Sequence, residues 1–200
     1  VGAYGGSVYA VRAKNGRLVW RSSTQGARFG FGSGNFYATP AVAYGRVYVG
    51  NTDGKMYSFS SENGKLGWSR GTGSYVYGAV AVGNPPKLGP TVFFGSYSGR
   101  FCALNAANGS TRWSYDSGGQ ISGAPTVVGK VVYFSTIDTT NTYGLSTRSG
   151  ERVFARGSGA YNPAISDGNR LYLTGYESIS AYVTRSTYAR EAKERRAAIR

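Results

Sequence analysis

The side chains able to do chemistry in this sequence are few. It contains no histidine, which removes the Ser-His-Asp and Cys-His arrangements and most transition-metal sites together. Its carboxylates are Asp53, Glu62, Asp116, Asp138, Glu151, Asp167, Glu177, Glu191 and Glu194. Asp53 and Asp167 stand in turn sequences, Glu62 and Glu151 adjoin turns, and Glu191 and Glu194 belong to the tail. None pairs with another at a spacing suited to a general acid and base, so no catalytic, cofactor-binding or metal residue is nominated. Cys102 is the single cysteine and cannot form an internal disulfide. Between Phe101 and Ala103 it reads as a small buried apolar residue. Gly26-Ala-Arg-Phe-Gly-Phe-Gly-Ser-Gly34 has the glycine density of a phosphate loop, but it lacks the closing Gly-Lys-Ser/Thr and leads into a strand pattern, which predicts a connecting loop. Tyrosine is left as the chemistry-bearing type. Tyr37, Tyr77 and Tyr161 recur just ahead of corresponding strands, and with Arg28 and Asn162 they form a candidate binding rim. Packing filler is the competing reading of these rings.

The elements that must position them follow from a repeat. Ala10-Val-Arg-Ala-Lys-Asn15-Gly16-Arg-Leu-Val-Trp20 returns as Ser58-Phe-Ser-Ser-Glu-Asn63-Gly64-Lys-Leu-Gly-Trp68. It returns again as Ala103-Leu-Asn-Ala-Ala-Asn108-Gly109-Ser-Thr-Arg-Trp113 and as Gly144-Leu-Ser-Thr-Arg-Ser149-Gly150-Glu-Arg-Val-Phe154. The turn glycines Gly16, Gly64, Gly109 and Gly150 recur at roughly 40–50 residues, the period of a β-propeller blade. Every tryptophan, Trp20, Trp68 and Trp113, occupies one slot, and Phe154 takes the fourth.

The clearest unit runs from Tyr37 to Trp68. Ala38–Ala43, Arg46–Gly50, Lys55–Phe59 and Lys65–Trp68 alternate as strands, separated by Tyr44-Gly45, Asp53-Gly54 and Asn63-Gly64. Two-residue Asn-Gly and Asp-Gly links favour turns whose twist matches the flanking strands, so each unit is predicted to be an antiparallel four-stranded meander. Three units are whole. The first lacks its opening strands and the last lacks the fourth-strand motif, giving three full and two partial blades. The halves would over-fill one shared blade, so the phase predicts the C-terminal part of a larger ring, with a small closed ring as the alternative. The all-β region is expected over 1–183.

After Val183 the pattern changes. Residues 184–200 form a basic tail with Arg185, Arg190, Lys193, Arg195, Arg196 and Arg200, rich in helix formers and expected to be a short helix or disordered. Ser186 or Thr187 is the expected cap, and Glu191–Arg195 the expected i,i+4 pair. The whole chain of 200 residues carries a net charge of +14 with 31 glycines, 17 tyrosines and 16% charged residues. That balance suits a turn-dense β protein and an anionic partner surface. It carries no recognised nucleic-acid motif, and no apolar run of about 18 residues long enough to span a membrane.

The repeated Ala-x-x-x-x-Asn-Gly-x-x-x-Trp, with Gly45-Arg-Val-Tyr-Val-Gly-x-x-Asp-Gly-Lys-x-Tyr57 ahead of it, resembles the tryptophan-docking motif of the PQQ-like (quinoprotein and BamB-type) propeller repeat family. The resemblance covers about residues 1–183. It implies that Trp20, Trp68, Trp113 and Phe154 form a girdle between adjacent blades. The motif's usual Asp is replaced by Arg12, Ser60, Asn105 and Ser146, and the usual Thr before the glycine by Asn or Ser. The family includes PQQ-dependent dehydrogenases, non-catalytic assembly factors and extracytoplasmic sensor domains of membrane receptors and kinases. PQQ enzymes of this kind use an adjacent Cys-Cys pair and a calcium held by Glu, Asn and Asp; Cys102 alone does not make that pair. The expectation is therefore a non-catalytic, exported bacterial scaffold that binds a protein or an anionic cell-envelope component, with no cofactor. PQQ and calcium enter only if a missing part supplies their site. A fragment of a PQQ-dependent dehydrogenase and a sensor domain are the alternatives. An extracytoplasmic location is implied by the resemblance alone.

Overall fold

The computed structural model describes residues 1–24, 26, 32, 34–157, 159, 161, 164–168, 170–175 and 177–198. Among the described residues, seventeen strands form consecutive antiparallel sheets and a helix follows them. The first sheet pairs β1 (Ser7–Val11) with β2 (Leu18–Ser23), and an isolated antiparallel bridge joins Gly2 to Val8. The second is β3 (Ala41–Ala43), β4 (Arg46–Gly50), β5 (Lys55–Ser60) and β6 (Leu66–Gly71), paired in that order. The third is β7 (Ala81–Gly83), β8 (Thr91–Gly95), β9 (Arg100–Asn105) and β10 (Thr111–Asp116). The fourth is β11 (Thr126–Val128), β12 (Val131–Ser135), β13 (Asn141–Ser146) and β14 (Arg152–Gly157). The last sheet has three strands, β15 (Ile165–Ser166), β16 (Leu171–Thr174) and β17 (Ile179–Tyr182). Three full blades thus stand between two partial ones, as the repeat predicts.

The opening strand of each full blade is only three residues long, shorter than the sequence suggests. In the second and fourth sheets a proline, Pro40 or Pro125, stands just ahead of it and offers no N–H to a ladder.

The core lies between blades rather than within them. Val8, Trp20, Phe36, Val47, Val49, Tyr57 and Phe59 fill the first seam. Tyr48, Met56, Trp68, Val76, Val92, Phe94, Cys102 and Leu104 fill the second, and Phe93, Phe101, Ile121, Val132, Phe134, Tyr143 and Leu145 the third. The second and third sheets therefore bury both faces against their neighbours, and stability is shared along the row of blades. The end faces have no such cover, and Leu18, Val19, Ile165 and Ile179 are exposed.

The tryptophans explain why the repeat is so regular. Each sits at a register shift between the third and fourth strands of its blade. Such a bulge re-aims a side chain out of the regular pleat, and here the ring reaches the turn of the next blade. Trp20 donates its indole N–H to the Ser61 carbonyl at 3.0 Å, Trp68 to Ala106 at 3.0 Å and Trp113 to Thr147 at 3.1 Å. Each acceptor lies three residues before a turn glycine. A Cβ on Gly64 would stand 2.6 Å from the Trp20 ring, and one on Gly109 or Gly150 would stand 2.7 Å from Trp68 or Trp113. These glycines also hold φ of 72°, 71° and 74°, so backbone and packing both demand them. Phe154 has no indole to donate. It packs edge-on between Tyr133 and Tyr182, with centroids at 5.9 and 5.7 Å.

The tail forms α1 (Arg185–Ala198), which buries no residue. Thr184, rather than Ser186 or Thr187, caps it, its hydroxyl accepting from the Thr187 N–H at 3.2 Å. The ion pair along the helix is Arg190–Glu194 at 4.0 Å rather than Glu191–Arg195; Glu191 instead reaches Arg170 of the last blade at 3.0 Å.

Candidate functional site

The antiparallel meander puts the connections between second and third strands, and those between successive blades, on one face. Backbone hydrogen bonds tie them together there: Tyr97 N–H to Tyr75 at 2.9 Å, Ser117 N–H to Gly99 at 2.9 Å and Thr72 N–H to Gly54 at 2.9 Å. Tyr37 enters just before β3 and Tyr77 just before β7. Their rings meet with centroids 5.4 Å apart and planes at 56°. The residues preceding the opening strands approach one another so closely that Gly78 lies against the Gly123 backbone, and Gly123 against that of Tyr161, with no room for a Cβ.

Around the Tyr37–Tyr77 pair the structure gathers three further tyrosines. Tyr4 meets Tyr37 edge-on at 5.0 Å, Tyr97 meets Tyr77 at 4.8 Å, and Tyr75 touches Tyr77 and Tyr97 at 5.7 and 6.3 Å. Tyr4, Tyr37 and Tyr75 are 73%, 49% and 48% exposed, while Tyr77 and Tyr97 are half-buried. The patch crosses three blades. Tyr75 and Tyr77 are two residues apart in an extended stretch, a spacing that signals a shared face; Tyr4 and Tyr97 gave no comparable signal. Tyr161 is exposed but meets no ring of the described residues, because Ser122 stands at the tyrosine's position in the intervening blade. Arg28 and Asn162 lie outside the described residues.

Their surroundings hold two of the phenols, Tyr4 and Tyr77, more firmly in the neutral form. The Tyr37 hydroxyl, through hydrogen bonding and charge repulsion, raises Tyr4 above the ordinary 10.0. Burial raises Tyr77, and repulsion from Tyr97, Tyr37 and Tyr75 adds to it. The patch offers rigid ring faces and edges with hydroxyl tips.

Other chemistry-bearing groups are taken up in structure. Asp53 accepts from the Lys55 N–H at 3.0 Å and from the Tyr57 hydroxyl, fastening the β4–β5 turn. Burial raises its carboxyl above the ordinary 3.8, against the opposing pull of Tyr57 and Lys55. Asp138 closes the corresponding turn by accepting from Gln120 N–H at 2.8 Å and Thr139 N–H at 2.9 Å. Cys102 is buried in the second seam, where desolvation pushes its thiol up to about 11. Among the described residues no three His, Cys, Asp or Glu side chains gather as metal ligands. These residues do not fit a PQQ clamp built on adjacent cysteines and a carboxylate-held calcium.

Among solved structures, BamB from Moraxella catarrhalis superposes with a TM-score of 0.71 at 16% identity, over 92% of this chain and 54% of that one. The computationally designed protein Ika8 gives 0.72 at 16% identity, over the same shares. Quinohemoprotein alcohol dehydrogenase ADHIIG from Pseudomonas putida HK5 gives 0.66 at 16% identity, over 88% of this chain and 37% of that one. In sequence, the quinohemoprotein alcohol dehydrogenase ADH-IIG of Pseudomonas putida is 37% identical over 65 residues, 31% of this chain and 9% of that protein. The chain thus spans about half the length of the BamB structure and a small part of the dehydrogenase. The family model described as outer membrane protein assembly factor BamB matches residues 4–86 and 83–176, and the chain belongs to that PQQ-like β-propeller family.

Proposed function

We propose that this chain is a non-catalytic, extracytoplasmic binding scaffold, and that its tyrosine face receives a protein segment. The observation that carries this reading is the contiguous surface of Tyr4, Tyr37, Tyr75, Tyr77 and Tyr97 spanning three blades. Five amphipathic rings held by a rigid stack present contact area at low entropic cost, and adjacent Ser, Gly and Asn residues add adaptable hydrogen bonding. The rings meet at 56–83° along Tyr4–Tyr37–Tyr77–Tyr97, so they form slots rather than a flat platform. Slots of this kind suit side chains of an extended peptide. The test is selection of peptide ligands on the whole chain, followed by the Tyr37→Ser/Tyr77→Ser/Tyr97→Ser variant. Selected ligands should lose at least about tenfold in affinity while the melting transition is retained. Ligands that bind the variant equally well would move the site elsewhere.

A second reading, a piece of a PQQ-dependent oxidoreductase, is favoured by the 37% identity over 65 residues to a quinohemoprotein alcohol dehydrogenase. It requires the cofactor clamp to come from residues outside those described. A stoichiometric quinone chromophore and alcohol oxidation on titration with PQQ and calcium would replace the scaffold reading with this one.

A further inference from the structure

On the face opposite the tyrosines, the connection within the third sheet is irregular. First and second strands are joined by Tyr44-Gly45 in the second sheet and by Gly129-Lys130 in the fourth. In the third sheet the link is Asn84-Pro-Pro-Lys-Leu-Gly-Pro90. This longer loop is fixed at several points. Pro85 is buried, and its carbonyl accepts from Leu88 N–H at 3.0 Å and Gly89 N–H at 3.1 Å. The Pro90 carbonyl accepts from Ala106 N–H and from Arg112, each at 3.1 Å. At its apex Lys87 holds φ at 65°, a left-handed conformation disfavoured for any residue with a Cβ.

The loop sets Lys87 beside the next blade. Pro86, Lys87, Lys130, Ser146, Thr147 and Arg148 line a cleft of about 210 Å³. Its floor is rigid: Thr147 gives its N–H and hydroxyl to the Lys130 carbonyl at 2.9 and 3.1 Å, and its own carbonyl accepts from Trp113. Lys87, Lys130 and Arg148 therefore line one cleft, and no carboxylate is among its lining residues. The ion pairs among the described residues are Arg170–Glu191 and Arg190–Glu194, and Glu151, the nearest acid in sequence, joins none. Like charges held together repel unless a counter-charge sits among them. Ammonium and guanidinium donors around a small rigid floor are the groups that recognise a phosphate.

We propose that Lys87, Lys130 and Arg148 form a phosphate-binding site between the third and fourth blades, on the face opposite the tyrosines. It takes a phosphoryl group, whether of a small phosphoester or of a lipid headgroup, and is independent of any partner on the tyrosine face. The test is titration of the whole chain with pyrophosphate, followed by calorimetry, and sedimentation with phosphatidylcholine vesicles with and without phosphatidylglycerol. Lys130→Gln and Arg148→Gln are each expected to weaken binding about tenfold. Lys87→Gly should weaken it similarly without lowering the melting temperature, because glycine accepts the left-handed backbone. Arg12→Gln/Lys14→Gln/Arg17→Gln removes three charges, more than any single cleft variant, from the N-terminal turn, and is expected to leave binding unchanged. Saturable pyrophosphate binding with this pattern assigns a small phosphoester. The same pattern with phosphatidylglycerol vesicles alone assigns a membrane headgroup. Absence of binding in both arms, or equal weakening by the Arg12/Lys14/Arg17 variant and the cleft variants, overturns the proposal.

Discussion

Gly64, Gly109 and Gly150 occupy closed seams, whereas Gly16 occupies the same motif position on an open end. The turn is alike in all four, with φ of 72°, 71°, 74° and 69°. The surroundings are not: an indole covers each of the three seam glycines, while nothing lies within 4 Å of a Cβ built on Gly16. One motif thus contains two separable demands, a left-handed backbone at every copy and a flat seat for a ring only where a blade precedes it. The repeat encodes the turn locally, but its energetic weight comes from the neighbour.

The largest expected effect separates these demands. Gly109→Ala meets both the left-handed penalty and the Trp68 ring, and is expected to lower stability by about 3 kcal/mol. Gly16→Ala meets only the backbone penalty and should lower it by about 1 kcal/mol. Urea unfolding of both variants measures the difference, and equal losses would mean that ring seating contributes nothing. A smaller contrast lies among the seams. The Ala106 carbonyl accepts from Trp68 and also from the Tyr48 hydroxyl at 3.1 Å, whereas Thr147 receives Trp113. Trp113→Phe should therefore cost about 1 kcal/mol more than Trp68→Phe, since Tyr48 still satisfies Ala106. The reverse order would show that ring volume, rather than the indole hydrogen bond, sets the cost.

The same division between local and neighbouring causes decides what could be read in the sequence. Turn glycines, strand alternation and the aromatic slot are local features, and they placed three full and two partial blades. The short opening strands depended on Pro40 and Pro125 lying beside a ladder, and the bulge at each tryptophan depended on strand pairing. The tyrosine face was legible only through Tyr37 and Tyr77. Tyr4 and Tyr97 join it from unrelated loops once consecutive blades are stacked, and Ser122 separates Tyr161 from it. Of the phosphate cleft, only the proline-rich stretch Asn84-Pro-Pro-Lys-Leu-Gly-Pro90 is a local feature, because Lys130 and Arg148 come from a different blade.

Cys102 reports on the closed seams directly. Its thiol lies between the second and third blades, and desolvation holds it near 11 against an ordinary 9.0, so both access and thiolate fraction are low. In the native chain a disulfide reagent at pH 8 should label it only through opening of that seam. Gly109→Ala is expected to accelerate labelling by roughly tenfold or more, in proportion to lost stability, and Gly16→Ala by much less. Equal acceleration by both variants would mean that opening is global rather than confined to the damaged seam.

The smallest effect concerns Asp53, whose carboxyl fastens a turn beside the first seam. Burial raises its pKa in the folded chain above 3.8, outweighing the opposing effects of Tyr57 and Lys55. Between the unfolded value and the raised folded value, the native state binds more protons than the unfolded state. The contribution of Asp53 is therefore fully present below pH 3.8 and is lost as pH rises through the folded pKa. Asp53→Asn removes this titration but keeps one acceptor for the turn. The stability of Asp53→Asn relative to the parent should rise as pH increases from 3.8 and level off above the folded pKa. Urea midpoints across this range measure the trend. A relative stability that falls with pH would show that the Tyr57 hydroxyl and Lys55 hold the carboxylate ionised, making the turn a charge-stabilised element rather than a desolvated one.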